Sequence, residues 1–172
     1  VTCEKQRAIK FDRSASVEQK QDATNILISH YKWVKAERAY AHAKKIRAIQ
    51  CPTELLSIAI DGTDQLANGL PQFRQATSAD GPAHHRLHVK FTLARTHNLR
   101  KTTAYAHLEN IAGDPNLTIE VIQRELKKTE EALGMLPPVL AIQLDNCFRE
   151  NKNSYVINYC GWLVERGRCI RL

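Results

Sequence analysis

Two short aliphatic runs, each followed directly by an aspartate, constrain the fold of this chain more than any other feature. Leu55–Ile60 precedes Asp61, and Val139–Leu144 precedes Asp145. Apolar runs of this length, rich in branched aliphatic residues and bounded by turn residues, are typical of buried strands. Strands that are apolar along their whole length occur in sheets that are covered on their faces. The sequence therefore predicts an α/β domain in which these two strands lie side by side and parallel.

The segments around these runs indicate the remaining elements. Leu87–Leu93 alternates apolar and polar residues, which predicts a half-buried strand, and Thr102–Leu108 is the predicted returning strand. Asp114 and the proline after it predict the start of a helix that ends at Gly134. A last helix is expected from about Glu150 to Glu165, with a further short strand possible after it. The predicted order of the domain is β-β-β-α-β-α.

The first third of the chain predicts a basic helical arm. Ser14–Gln50 contains neither proline nor glycine and is rich in good helix formers, with Ser14 or Ser16 as its cap. Of the net charge of +7, +6 lies in residues 1–53, which hold 11 Lys or Arg against 5 Asp or Glu. We therefore divide the chain into an arm, residues 1–52, and an α/β domain, residues 53–172.

A localised basic surface favours a polyanionic partner such as DNA or RNA, although a solvated basic helix has the same composition. Tyr31, Trp33 and Tyr40 are interleaved with the basic residues of the arm. Such a mixture suits contacts to nucleic-acid backbones and bases, whereas aromatic rings packed beneath lysine side chains are the commoner arrangement. The candidate nucleic-acid contacts in the arm are Lys32, Lys35, Lys44 and Lys45.

Composition excludes several other classes of protein. Hydrophobic residues make up 43% and charged residues 25% of the 172, as in ordinary globular proteins, and no apolar run approaches the length of a membrane span. The five cysteines include no CxxC pair, so a zinc knuckle is not indicated. We expect reduced thiols and an intracellular location, with the nucleus favoured and an organelle not excluded.

Asp61 and Asp145 are the candidate catalytic and metal-binding residues. The carboxyl ends of strands in an open α/β sheet are where ligands bind. Two carboxylates brought together there would repel each other unless a hard cation such as Mg²⁺ or Mn²⁺ lay between them. Such ions can activate water and stabilise the leaving oxygen in phosphoryl transfer. The alternative is that each aspartate caps a turn.

The order of elements matches the ribonuclease H-like fold of nucleases, integrases and transposases. More specifically, four segments resemble an uncharacterised eukaryotic, transposon-associated domain that is similar to ribonuclease H-like integrases. The resemblance covers about Cys51 to Gly167, and the segment from Leu144 to Asn153 is its most specific part. The four segments are Ile58–Gln65, Asp114–Thr118, Leu136–Pro138 and Leu144–Asn153.

The resemblance implies that Asp61 is the first metal ligand and Asp145 the second. Family members continue past the last strand into a segment of the type His-Thr-His-Glu-Asp-Ile-Asp, the natural source of a third acidic ligand. This sequence has no such segment, so we expect the domain to be incomplete at its carboxyl end. Glu120 is the substitute candidate, because ribonucleases H carry an acidic residue early in the corresponding helix.

Polar residues after Asp145 provide two further candidate contacts, Arg149 and Lys152. A polar cluster that opens a helix can hold phosphate through backbone amides and basic side chains, or can form a helix cap. The expected function is nucleic-acid binding by a transposase-like or integrase-like domain with ancestral two-metal chemistry, incomplete or inactive as this chain. The alternative is a non-catalytic basic subunit of a larger nucleoprotein assembly.

Overall fold

The structure, a computed structural model, describes residues 2–63, 69–70, 87–108, 110–111, 113–145, 147 and 153–169. The chain divides into two compact units, Val1–Ala43 and Lys44–Leu172. No helix in the described part of the chain is both long and apolar enough to cross a membrane. All five cysteines carry free thiols.

The first unit is helical. It contains α1 (Thr2–Phe11) and most of α2 (Val17–Gln50), whose last turns belong to the second unit. Ser16 and Gln19 form a capping box at the start of α2. The Ser16 hydroxyl accepts a hydrogen bond from the Gln19 backbone N–H at 3.2 Å. The Gln19 side-chain oxygen accepts one from the Ser16 backbone N–H at 2.9 Å. The predicted helix is confirmed with Ser16 as its cap, whereas α1 is an additional helix.

The second unit is built on a mixed sheet. Its four main strands are β1 (Leu55–Gly62), β3 (Leu87–Thr96), β4 (Lys101–Leu108) and β5 (Val139–Leu144). They lie in the order β4-β3-β1-β5. The two-residue strand β2 (Gly69–Leu70) pairs with the start of β3. β1 runs parallel to β5 and antiparallel to β3, which in turn runs antiparallel to β4. The predicted parallel pairing of the two aliphatic strands is confirmed.

Two helices cover one face of this sheet. α3 (Pro115–Leu133) and α4 (Ser154–Glu165) bury apolar residues against Leu56, Ile58 and Ile60, which alternate along β1 and therefore share a face. The core formed in this way also contains Ala94, Val121, Ile122, Leu126, Leu140, Val156, Leu163 and Cys169.

The ends of α3 follow the sequence closely. Asp114 caps it by accepting the Leu117 N–H at 3.1 Å, and Gly134 ends it in the left-handed region at φ 73°. The predicted start of α4 at Glu150 is wrong, because Asn153 is its cap, with an extended backbone and a side chain that accepts the Val156 N–H. Of the possible last strand, the described part, Arg168 and Cys169, is not a strand.

Candidate functional site

The register of β1 and β5 brings the two candidate aspartates to neighbouring positions. Ile60 of β1 pairs with Leu144 of β5, and the next residue in each segment is Asp61 and Asp145, respectively. Because the strands are parallel and in register, both aspartates lie at the same edge of the sheet and on the same face of it. The face is the one that carries Ser57, opposite the face covered by α3 and α4. The structure therefore brings Asp61 and Asp145 together.

Both aspartates are exposed, so their carboxylates are accessible from solvent. Asp61 lies within β1 and opposite Leu93 of β3, whereas Asp145 follows the end of β5. Asp145 also accepts a hydrogen bond, since its Oδ1 lies 3.1 Å from the backbone nitrogen of Cys147, which donates. This hydrogen bond orients one oxygen of the Asp145 carboxylate.

Glu120 is not grouped with these aspartates. It lies in the second turn of α3, which packs on the opposite face of the sheet. Its Oε1 accepts a hydrogen bond from the Arg124 guanidinium at 2.7 Å. Among the residues that the structure describes, no three His, Cys, Asp or Glu side chains are close enough to hold a metal ion together. A role for Glu120 as a third metal ligand stays a prediction.

The lysines of α2 differ in exposure. Lys32 and Lys35 in the first unit are exposed, and Lys45 in the second unit is exposed too. Lys44 is half-buried, so it is the least accessible of the four candidate contacts in the arm. Arg149 and Lys152, together with the polar cluster around them, lie outside the described residues.

Two aromatic residues of α2 have largely exposed side chains. The side chain of Trp33 is 73% exposed and that of Tyr40 is 64% exposed. Since they are seven residues apart, or two helical turns, they lie on the same face of α2. Tyr31 differs from them, because its hydroxyl accepts a hydrogen bond from the Arg7 guanidinium of α1 at 2.6 Å. The commoner arrangement, a ring packed beneath lysine side chains, therefore does not describe Trp33.

A buried glutamate that the sequence interpretation missed is the most strongly bound acidic group described. Glu125 of α3 is only 2% exposed. It accepts hydrogen bonds from the hydroxyls of Thr96 and Tyr105, both at 2.6 Å, and from Lys128 Nζ at 3.1 Å. Lys128 also lies 4.7 Å from the centroid of the Tyr105 ring. We call these four residues the Glu125 cluster.

Opposing effects set the pKa of Glu125. Burial raises the pKa, but the hydrogen bonds from Thr96, Tyr105 and Lys128 together outweigh it and leave the pKa of Glu125 below its ordinary value. The carboxylate is therefore charged at neutral pH. A glutamate between Ile122 and Leu126 at a core-facing position of α3 was the sequence pattern that could have revealed this cluster.

A second missed pair lies on the other face of the sheet. Ser57 Oγ and His97 Nδ1 are 3.0 Å apart, and both side chains are buried. Burial lowers the pKa of His97, with a further lowering from Lys45 and Arg95, so the ring is neutral at physiological pH. Asn98 holds the adjoining turn, because its side chain accepts the Ser57 N–H and donates to the carbonyl of Pro52. The arrangement fixes the turn between β3 and β4 against the start of β1.

Comparison with known proteins identifies a family. Residues 79–169, more than half of the chain, match the family described as Domain of unknown function (DUF7869), and the chain belongs to that family. No curated protein and no solved structure matches the chain significantly. The family match includes β3, β4, α3, β5 and α4, and with them Asp145 and the Glu125 cluster.

Proposed function

We propose that this member of the family is a nucleic-acid-binding domain with a ribonuclease H-like sheet, in which Asp61 and Asp145 bind Mg²⁺ or Mn²⁺. The observation that carries the proposal is the register of β1 and β5, which places the two aspartates next to each other. The order β4-β3-β1-β5, with only the β1–β5 pair parallel among the four main strands, supports the ribonuclease H-like part of the proposal. The partner would be DNA or RNA, bound within a transposase-like or integrase-like context.

Electrostatics explains why a cation suits this position. Neighbouring strands are about 4.8 Å apart, so two ionised carboxylates at paired positions repel each other. A divalent cation between them replaces that repulsion by attraction, and Mg²⁺ takes one or two protein carboxylates with water at its other positions. Asp61 and Asp145 would therefore supply two oxygen ligands to an ion that remains partly hydrated.

Efficient cleavage requires more than this pair of aspartates. Two-metal phosphoryl transfer needs two ions about 3.5–4 Å apart, and a third acidic group helps to hold the second ion. Glu120 is bonded to Arg124 on the helix that covers the opposite face of the sheet. We propose that the chain binds metal weakly and cleaves nucleic acid inefficiently, although the ancestral chemistry was two-metal phosphoryl transfer.

That position of Glu120 also favours a second candidate function. The chain would be a non-catalytic basic subunit that binds nucleic acid within a larger nucleoprotein assembly, with the nucleus as the favoured location. The basic part of α2 would then provide the contacts, and Asp61 and Asp145 would have a structural role. Metal binding at these aspartates distinguishes the two candidates.

Titration with Mn²⁺, followed by its electron paramagnetic resonance signal, tests the metal site. Asp61→Asn and Asp145→Asn should each weaken binding by about tenfold or more, because either change removes one of two charged ligands. Asp114→Asn is the matched control, since it removes one charge but keeps a residue that caps α3 equally well. Equal Mn²⁺ affinity in all four proteins would contradict the proposed site.

Cleavage of labelled DNA and RNA oligonucleotides in Mg²⁺ tests the expected lack of efficient catalysis. We expect little or no cleavage by the full chain. Robust cleavage that Asp145→Asn abolishes would show that the site is complete. Loss of that cleavage in Glu120→Gln as well would identify Glu120 as the third ligand.

A further inference from the structure

Helix α4 is apolar on the side that faces solvent as well as on the side that faces the core. The side chain of Tyr155 is 69% exposed and that of Ile157 is 63% exposed. Seven residues make two helical turns, so each flank of the exposed side has one pair, Tyr155 with Trp162 and Ile157 with Val164. A helix that is apolar all round is normally covered all round, because water solvates apolar side chains poorly. The exposed side of α4 therefore has the composition of an interaction surface.

Four small or polar residues run along the middle of this exposed side. They are Ser154, Asn158, Gly161 and Glu165, and all four are exposed. Their spacings of four, three and four residues keep them within about 60° of one another around the helix. A Cβ atom added to Gly161 would meet no neighbouring atom within 4 Å, so the space above it is open. This line of residues and its two flanks are called the outer α4 face below.

We propose that the outer α4 face binds the same face of a second copy of the chain, with the two helices antiparallel about a two-fold axis at their midpoint. Such self-association is independent of the nucleic-acid binding proposed above. The aromatic flanks then meet, with Tyr155 beside Trp162 of the partner subunit, and aromatic pairs of this kind are favourable. The aliphatic flanks meet in the same way, with Ile157 beside Val164 of the partner subunit. The outer α4 face is therefore complementary to itself.

The charge of Glu165 favours a second copy and determines its direction. Glu165 is the single charged residue of α4 and lies at the C-terminal end, where the helix dipole disfavours a negative charge. In the antiparallel pair it lies beside the N-terminus of the partner helix, where the dipole favours a negative charge. The two Glu165 carboxylates are then about 16 Å apart along the helix axis, whereas a parallel pair would place them side by side.

The composition of α4 fits other occupants less well. A nucleic acid requires basic side chains along the contact, and helices that lie on a membrane carry Lys and Arg on their polar face. Helix α4 contains neither residue type. An uncharged surface that matches itself is best covered by a second copy.

The ring of Trp162 is already held in place by its own chain. It stacks on the ring of Tyr159, with 5.9 Å between the centroids, and the Arg166 guanidinium lies 5.7 Å from its centroid. The Trp162 side chain nevertheless remains 44% exposed. A side chain that is ordered before binding loses little conformational entropy when a partner covers it. Trp162 is therefore well suited to contact a second copy.

The size of the outer α4 face predicts a weak dimer. Helix α4 has 12 residues and is therefore about 18 Å long. Two such helices bury less than about 1,200 Å² in total, which is the range of transient complexes. We expect a dissociation constant on the order of 10–100 µM.

Sedimentation equilibrium of the full chain over a concentration range that spans this constant measures the dimer. Gly161→Glu should raise the dissociation constant at least tenfold, because Gly161 lies near the axis and a charged side chain there would separate the helices. The monomer should be at least as stable in thermal denaturation, since the space around Gly161 is open and glutamate is a better helix former than glycine. Ala132→Glu is the matched control, because it adds the same carboxylate to an exposed position of α3 and should leave the dimer intact.

Reversal of the charge of Glu165 tests the antiparallel direction. Glu165→Lys places a positive charge beside the N-terminus of the partner helix twice in each dimer, so the dissociation constant should rise by about tenfold. The same change suits the C-terminus of its own helix and should not destabilise the monomer. Glu131→Lys, at an exposed glutamate of α3, is the control and should leave the dissociation constant unchanged.

Tryptophan fluorescence shows which face becomes buried. The chain has two tryptophans, Trp33 and Trp162, so Trp33→Phe leaves Trp162 as the reporter. Its emission should shift to shorter wavelength as the protein concentration rises through the dissociation constant, because the partner subunit removes water from the indole ring. The double variant with Gly161→Glu should show no such shift.

Four outcomes would overturn the proposed dimer. They are a chain that stays monomeric about tenfold above the expected dissociation constant, a dimer that Gly161→Glu leaves intact, a dissociation constant that Glu165→Lys does not raise, or a shift of the Trp162 emission caused by phospholipid vesicles in a chain that stays monomeric. Loss of the dimer in Gly161→Glu with an unchanged affinity for nucleic acid would support the dimer and leave the proposed function as it stands.

Discussion

Glu125 shows how one buried charge is maintained by specific donors. A carboxylate that is 2% exposed is costly to bury unless hydrogen bonds replace its water. Two hydroxyls and one ammonium group provide those bonds, one hydroxyl from β3, the other from β4 and the ammonium group from α3 itself. The cluster therefore ties α3 to two strands, and it favours one position of the helix on the sheet.

We predict that Glu125→Gln lowers the free energy of unfolding at pH 7 by about 1–3 kcal/mol. The amide replaces one acceptor oxygen by a donor group that faces donors. The pKa of Glu125 is below its ordinary value in the folded protein, so its stabilising effect is complete above the unfolded pKa. That effect is lost as the pH falls through the folded pKa. Urea denaturation between pH 7 and pH 3.5 should show the two proteins converging toward acid.

Glu131→Gln is the control for this change. Glu131 lies on the same helix but is exposed, and its partner Lys127 is 3.9 Å away. Exposed ion pairs of this kind contribute about 0–1 kcal/mol, so little change is expected. A difference between Glu125→Gln and the unmodified chain that stays constant with pH would contradict the assigned charge state.

Elements bounded by strong turn and cap residues were predictable from sequence. The bounds of β5 agree with the prediction at both ends, because Pro137 and Pro138 precede it and Asp145 follows it. α3 was predictable for the same reason, from Asp114 and Gly134. The start of α4 was missed, because polar residues from Glu150 onward are compatible with a helix, while only the structure shows that Asn153 caps it.

Side-chain pairs from distant segments were less predictable than the elements. The proximity of Asp61 to Asp145 follows from the parallel pairing of two strands, so the sequence could indicate it. The bond between Ser57 and His97 depends on the register of two antiparallel strands and on a turn, neither of which a pattern of apolar residues determines. The exposure of Trp33 was likewise open, since helical periodicity was imperfect along α2.

For the helix α2, charge reversal tests how much its lysines contribute to the proposed binding of nucleic acid. Changing Lys32, Lys35, Lys44 and Lys45 to Glu should weaken binding across all nucleic-acid sequences. Each lost phosphate contact to a single strand lowers the slope of log affinity against log salt by about 0.7. Lys44 should contribute least, because it is half-buried. Measurement of affinity over a range of salt concentrations, by fluorescence anisotropy, gives both quantities.

Reversal of two lysines outside α2 controls for net charge. Lys101→Glu and Lys127→Glu change exposed residues of β4 and α3 and should alter the salt slope far less. If the fourfold variant kept the affinity and salt slope of the unmodified chain, the positive charge of α2 would be solvated surface only.

For the molecule as a whole, the two units have unequal apolar cores. Among the described residues of the first unit, only Ala23 and Leu27 are fully buried hydrophobic residues, whereas the core of the second unit joins β1, β3, β5, α3 and α4. A helix gains most of its stability from the packing of an apolar face. The first unit should therefore open more readily than the second.

Hydrogen–deuterium exchange of the full chain tests this difference. Without a ligand, amides of residues 2–43 should exchange faster than those of β1 and α3, because local opening needs less free energy where few apolar contacts are broken. A nucleic acid that binds only the folded helices should slow their exchange by about 100-fold when its free concentration is 100 times Kd. Equal protection of the two units in the free chain would show that the first unit gains its stability from something other than its own core.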